Sequence, residues 1–128
     1  MVTKVVVIDD RIDHRERLVK ELEEAGCEVL SFDHADPDGE QSAITVFGPE
    51  IAVVDSLFAT ELEGIGIVRR LFKIKPDIKI VICSILDDEP SRQHWFRDKY
   101  KDIPGVCAIF GKARFPSAEA ILAACSRP

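Results

Sequence analysis

The chain has 128 residues, the size of one ordinary domain built around a single hydrophobic core. Hydrophobic residues make up 46% of it and charged residues 31%, a balance typical of a folded globular protein. The net charge of -6 argues against direct binding to nucleic-acid backbones, which needs clustered Lys and Arg. No apolar run approaches the ~20 residues that cross a bilayer, and no signal-peptide pattern opens the chain. We therefore expect one cytoplasmic domain, residues 1-128, that contacts neither membrane nor nucleic acid.

The cysteines Cys27, Cys83, Cys107 and Cys125 are far apart in the sequence, and none lies in a CxxC or other zinc-ligand pattern. We expect all of them to be reduced thiols that pack in the interior.

The N-terminal half of the chain twice shows an apolar strand that ends in carboxylates. The β-branched run from Val5 to Ile8 predicts a strand buried on both faces, and Asp9 and Asp10 follow it directly. A surface helix should come next, capped at Gly26, with Ile12, Leu18, Val19, Leu22 and Ala25 as its apolar stripe.

The pattern then repeats. Cys27 to Phe32 predicts a second strand, followed by an Asp-, Pro- and Gly-rich loop and a helix that ends at Gly48-Pro49. Ile51 to Val54 is again an apolar β-branched run, and it ends in Asp55.

The C-terminal half continues the alternation of strands and helices. A third helix should stop before Pro76, and a fourth buried strand should end at Ser84. An amphipathic segment follows, with Trp95, Phe96 and Tyr100 as apolar anchors, and then a fifth strand that reaches Lys112. Ser117 is the predicted N-cap of a short closing helix.

Five alternations of buried strand and helix predict an α/β fold, a parallel sheet with right-handed crossovers and helices on both faces. Ligands of such sheets gather at the carboxyl ends of the strands. This rule brings together the polar residues that follow the strands, namely Asp9, Asp10, Asp55, Ser84 and Lys112.

Crowded carboxylates repel one another unless a cation neutralises them, so this set predicts a metal site. Oxygen ligands without His or Cys favour Mg2+, with Mn2+ as a substitute, over zinc. A nucleophilic carboxylate, a metal and a lysine suffice for phosphoryl transfer, which depends mainly on positioning and charge neutralisation. Taken alone, however, the pair Asp9-Asp10 is equally typical of residues that cap the next helix.

Four motifs resemble the receiver domains of response regulators, the CheY-like family: VVVIDD at Val5 to Asp10, VVDSL at Val53 to Leu57, VICS at Val81 to Ser84 and FGK at Phe110 to Lys112. They cover nearly the whole chain in the order of the family. The resemblance implies a flavodoxin-like (βα)5 fold, a doubly wound five-stranded sheet of order 2-1-3-4-5.

The resemblance also implies a role for each site residue. Asp55 would accept the phosphoryl group, and Ser84 and Lys112 would contact it. Asp10 would bind Mg2+ directly, together with Asp55 and the backbone carbonyl of Leu57, whereas Asp9 would act mainly through water. The phosphodonor would be a histidine kinase, a phosphotransfer protein or a small acyl phosphate.

A protein of this kind is a switch rather than an enzyme, since it catalyses only its own phosphorylation and dephosphorylation. It would act on a downstream protein target and could form a homodimer, and no output domain is expected in residues 1-128.

Three residues depart from the family pattern: Ile85 stands where Ala or Gly is usual, Ile109 where an aromatic residue is frequent, and Ala113 where Pro is normal. They motivate an alternative, a pseudo-receiver that binds a protein partner but does not switch by phosphorylation. A haloacid-dehalogenase-type phosphatase fits less well, because that family needs D-x-D near its first strand and the aspartates here are adjacent. A flavin site is weaker still, since no Ser-, Thr- and Gly-rich phosphate loop follows the first strand.

Overall fold

The computed structural model of the chain describes residues 2-32, 39-55, 61-84, 97-98, 100, 102-103, 105-111 and 116-126. Strands and helices alternate in the order β1 (Lys4–Ile8), α1 (Ile12–Glu24), β2 (Glu28–Phe32), α2 (Gly39–Phe47), β3 (Ile51–Asp55), α3 (Glu61–Ile74), β4 (Lys79–Ser84), β5 (Val106–Gly111) and α4 (Ala118–Cys125). Arg97, Asp98 and Tyr100 are also helical, and Tyr100 is buried as predicted. Trp95 and Phe96 lie outside the described residues.

All five strands form one parallel sheet in the order β2-β1-β3-β4-β5. The predicted strand order is therefore confirmed. The interior strands β1, β3 and β4 are almost continuously apolar, because helices cover both faces of a doubly wound sheet.

Alternate residues of each strand point to opposite faces of the sheet and build two separate clusters. On one face, Val6, Ala52 and Ile80 pack with residues of α2, α3 and Tyr100. On the other face, Val7 and Val53 pack with residues of α1 and α4. The hydrophobic core is thus two layers with the sheet between them, as a doubly wound fold requires.

The end of α1 is set by Gly26, as the sequence predicts. Gly26 has a φ of 92°, and its N–H donates to the carbonyl of Glu23 at 3.0 Å. The next N–H, of Cys27, donates to the carbonyl of Leu22 at 3.0 Å. These two bonds form a Schellman motif, which satisfies the last carbonyls of the helix and turns the chain into β2.

The predicted apolar stripe of α1 is correct in its centre and wrong at its ends. Leu18 and Leu22 are buried, whereas Ile12 is 60% exposed and Ala25 is exposed as well. Ile12 is the first helical residue and Ala25 is the C-cap, so both lie at the ends of the helix, beyond the two buried leucines.

The prediction that every cysteine packs in the interior is wrong for one of them. Cys27, Cys83 and Cys125 are buried, but Cys107 is exposed. The pairing of β4 with β5 explains this difference, because Ile80 pairs with Val106 while Val81 pairs with Ala108, which leaves Cys107 as the extra residue of a bulge.

Candidate functional site

The carboxyl ends of the central strands meet at one edge of the sheet with matched register. Ile8, the last residue of β1, pairs with Val54, the residue before Asp55. Asp55 in turn pairs with Cys83, the residue before Ser84. The sheet therefore places the backbones of Asp9, Asp55 and Ser84 side by side at the end where ligands of such folds bind.

The same register extends to the edge strand. Ser84 pairs with Gly111, and Gly111 directly precedes Lys112 in the sequence. Lys112 and Leu57 lie outside the described residues, as does the side chain of Asp55. Their parts in the predicted site remain predictions.

Asp9 is the buried carboxylate of this edge, with only 2% of its surface exposed. Its Oδ1 accepts a hydrogen bond from the backbone N–H of Arg11 at 2.9 Å, and its own N–H donates to the carbonyl of Phe32 at 3.1 Å. The carboxylate is thereby fixed in a tight turn between β1 and α1.

This geometry tests whether the aspartate pair caps the next helix. Arg11 is the N-cap of α1, and no side-chain hydrogen bond caps the helix there. Asp9 shapes the turn before the helix, while Asp10 is exposed at the sheet edge. The pair is therefore not an ordinary helix cap.

A basic side chain also holds this turn. The guanidinium of Arg15 donates from Nη1 to the backbone carbonyl of Asp9 at 2.9 Å. Arg15 stands in the first turn of α1, and its own N–H donates to the carbonyl of Arg11 at 2.9 Å. The sequence analysis missed this residue, although a long cation one turn into the helix after an acidic strand end is a readable signal.

Ser84 closes the described part of the site. It ends β4 and is completely buried, with 0% of its surface exposed. Because Ser84 is buried at the end of an interior strand, its hydroxyl can contact a group bound at the sheet edge only if that group lies close to the strand end.

Among the described residues, no three His, Cys, Asp or Glu side chains lie close enough together to hold a metal ion. The predicted metal site includes Asp55, whose side chain is not among them. Within the same part of the chain, no helix is long and apolar enough to cross a bilayer.

Known proteins resemble the chain in sequence and in fold, although no family model matches it. It is 32% identical over 81 residues to the response regulator receiver protein CpdR of Brucella abortus. That alignment covers 63% of this chain and 65% of the Brucella protein, so the chain matches less than two thirds of its relative's length.

Solved structures share the fold over nearly the whole chain. A response regulator from Burkholderia pseudomallei, with a phosphorylated aspartic acid, a calcium ion and citrate, matches 97% of this chain and 66% of its own. Its TM-score is 0.71 at 21% identity. A response regulator receiver domain protein from Clostridium thermocellum matches 97% of this chain and 91% of its own, with a TM-score of 0.69 at 21% identity.

The chain is similar to response regulator receiver domains in sequence over 81 residues and in fold over nearly its whole length. The strand order observed here is the one that this resemblance predicts. The edge formed by the ends of β1, β3 and β4 is the candidate functional site of the chain.

Proposed function

We propose that this chain is a receiver domain, a phosphorylation-controlled switch in which Asp55 accepts a phosphoryl group with the help of Mg2+. The observation that supports this most directly is the register of the sheet, which sets Asp9, Asp55 and Ser84 at one edge and aligns Gly111, the residue before Lys112, with Ser84. A nucleophilic carboxylate, a buried hydroxyl and a lysine placed at one edge are the apparatus that phosphoryl transfer needs.

The acidic residues at this edge suit a hard cation. Asp9 is buried and its Oδ1 already accepts the N–H of Arg11, which fits an indirect role through water. Asp10 is exposed, which supports a direct bond to the ion, and the carboxylate of Asp55 and the backbone carbonyl of Leu57 would complete an oxygen-only set. We propose Mg2+, with Mn2+ as a substitute; the structure of the Burkholderia response regulator contains a phosphorylated aspartic acid and a calcium ion.

In the proposed reaction, a carboxylate oxygen of Asp55 attacks the phosphorus of a phosphohistidine or a small acyl phosphate. The bond from phosphorus to the leaving nitrogen or oxygen breaks, and Asp55 becomes an aspartyl phosphate. When bound, the cation neutralises charge on the phosphoryl oxygens. Lys112 would pair with the transferred phosphoryl group, and the Ser84 hydroxyl would donate a hydrogen bond to it.

The proposed partners follow from this chemistry. A histidine kinase or a phosphotransfer protein would supply the phosphoryl group in the cytoplasm. The face formed by β5, α4 and the helical residues around Tyr100 would then change its affinity for a downstream protein, or for a second copy of the chain.

The test is the intact mass of the protein after incubation with acetyl phosphate and Mg2+. We expect the wild type to gain the mass of one phosphoryl group, and the gain to disappear with EDTA or in Asp55→Asn. Asp77→Asn is the matched control, because the Asp77 side chain is 82% exposed and follows α3 at the opposite edge of the sheet.

A wild type that gains no mass under these conditions would contradict the proposal. The pseudo-receiver would then be the better hypothesis. Ile109 supports that alternative, because an aliphatic side chain packed against the core stands where the family frequently has an aromatic switch residue.

A further inference from the structure

Cys107 occupies an unusual position on the edge strand of the sheet. It is the extra residue of the bulge in β5, between Val106, which pairs with Ile80, and Ala108, which pairs with Val81. Its side chain is exposed, and its Sγ donates to the carbonyl of Gly105 at 3.4 Å. The bulge thus presents a thiol to solvent from an otherwise apolar strand.

Cys125 lies at the end of α4, near the start of β5. It is the last residue of α4, a helix that packs against β4 and β5, and only 4% of its surface is exposed. Lys79 at the start of β4 donates from Nζ to the carbonyl of Cys125. Because Lys79 precedes Ile80, the partner of Val106, this bond anchors the end of α4 beside the start of β5.

The two thiols are neighbours at this junction. Cys107 follows Val106, the partner of Ile80, and Lys79 beside Ile80 donates to the carbonyl of Cys125, so the end of α4 lies next to Cys107. The Cys107 thiol accordingly influences the pKa of Cys125, and neighbouring thiols need only a small displacement to reach disulfide geometry. Cys27 and Cys83 are buried elsewhere in the cluster, beside α1 and at the end of β4.

We infer that Cys107 and Cys125 are a redox-sensitive pair, which a hydroperoxide converts into a reversible disulfide bond linking β5 to α4. Cys107, the exposed thiol, would react first: its sulfur attacks one oxygen of the hydroperoxide, the O–O bond breaks, and a sulfenic acid forms with release of water or an alcohol. The Cys125 sulfur then attacks the sulfenic sulfur, the S–O bond breaks, and the hydroxyl leaves with the Cys125 proton as water. The two thiols are oxidised by two electrons and the hydroperoxide is reduced by two.

The environment of Cys125 agrees with the order of these steps. Burial, together with the neighbouring Cys107 thiol, raises the pKa of Cys125 to about 12, although the ammonium of Lys79 opposes the shift. Cys125 therefore stays protonated at neutral pH, and its burial keeps the oxidant away from it. It acts once the sulfenic acid has formed next to it.

The disulfide would join two elements of the face that we propose for partner binding. This consequence depends on the proposed function, whereas formation of the bond does not. Oxidation would restrain the movement of β5 relative to α4 and so reduce the response of the face to phosphorylation.

The experiment treats the dilute, unphosphorylated protein with hydrogen peroxide, blocks the remaining thiols with iodoacetamide and measures the intact mass. Before alkylation, the oxidised protein should be about 2 Da lighter than the reduced chain, because two hydrogens are lost. After alkylation, it should carry two fewer modified cysteines than the reduced chain. Dithiothreitol should restore all alkylation sites, and peptide mapping should place the bond between residues 107 and 125.

Three variants complete the test. Cys107→Ser, at an exposed position, should abolish the bond, and Cys125→Ala should do the same, while the buried Cys27→Ala should form it as the wild type does. Circular dichroism checks that each variant is folded. Any of three outcomes would overturn the inference. The bond could survive in Cys107→Ser, or the disulfide could form only between chains. Alternatively, Cys107 could be oxidised beyond the sulfenic acid while Cys125 is still alkylated. Because no phosphodonor is present, failure here is separate from failure of the proposed function.

Discussion

Gly105 illustrates how much a single residue contributes to the position of an edge strand. It directly precedes β5 with a φ of 89°, and its carbonyl accepts the N–H of Ile80 at 2.7 Å. A Cβ at this position would lie 2.5 Å from two ring atoms of Phe72 and 2.9 Å from the carbonyl of Ile78. Both the left-handed backbone and the missing side chain are therefore required.

We expect Gly105→Ala to lower the free energy of unfolding by about 3 kcal/mol, since it adds a steric clash to the backbone strain. Gly26→Ala is the matched control: Gly26 has a φ of 92°, but nothing lies within 4 Å of its would-be Cβ. There we expect a loss of only about 1 kcal/mol. Urea unfolding measures both, and equal losses would contradict the role assigned to Phe72.

Arg15 contributes at the same scale. Its bond to the carbonyl of Asp9 and the bond from the Arg11 N–H to the carboxylate hold one aspartate from two sides. The candidate site is thus shaped by α1 as well as by the strand ends.

At the scale of an element, α4 is a helix of eight residues, which in isolation is too short to be stable in water. Burial of Ala118, Ile121 and Cys125 against the sheet stabilises it, as does its N-cap. The hydroxyl of Ser117 accepts the N–H of Ala120 at 3.1 Å, as the sequence predicts.

Replacing the cap should weaken the protein by a predictable amount. We expect Ser117→Ala to lower the free energy of unfolding by about 1 kcal/mol, because one N–H of the first turn loses its acceptor. Ser117→Asp keeps an acceptor at the same position and should retain most of the stability. Thermal unfolding followed by circular dichroism compares them; an aspartate variant as weak as the alanine variant would argue against capping.

At the scale of the whole molecule, the sheet brings Asp9, Asp10 and Asp55 to one edge. Binding of the proposed cation at this edge should therefore raise the free energy of unfolding. An ion that binds only the folded state stabilises it by an amount that grows with the logarithm of the ion concentration once that concentration exceeds the Kd. Without the ion, the same carboxylates repel one another.

We therefore expect Mg2+ at a hundred times its Kd to raise the free energy of unfolding by about 2.7 kcal/mol, and EDTA to reverse the gain. Asp10→Asn should respond little to Mg2+ and should be at least as stable as the wild type without it, since one repelling charge is gone. Urea unfolding with and without Mg2+ checks both. A variant that keeps the full Mg2+ response would remove Asp10 from the proposed site.

The sequence alone determined the alternation of strands and helices and the residues that stand at the strand ends. Apolar β-branched runs that end in Asp9 and Asp55 are signals contained in a few consecutive residues. The same holds for Gly26 as a helix end and Ser117 as a helix start, because backbone conformation at a cap depends on that residue and its immediate neighbours. The resemblance to receiver domains then supplied the strand order, which the sheet confirms.

The tertiary structure alone decided which side chains meet. The bulge that exposes Cys107 arises from pairing with β4, the nearness of Cys107 to Cys125 from packing of α4 against β4 and β5, and the exposure of Ile12 from its place at the end of α1. Each of these three features depends on residues that are distant in the chain or on where a helix or strand begins and ends. A periodic pattern within a few consecutive residues therefore cannot predict them. Local periodicity determines the elements, whereas packing between elements determines the contacts at the site.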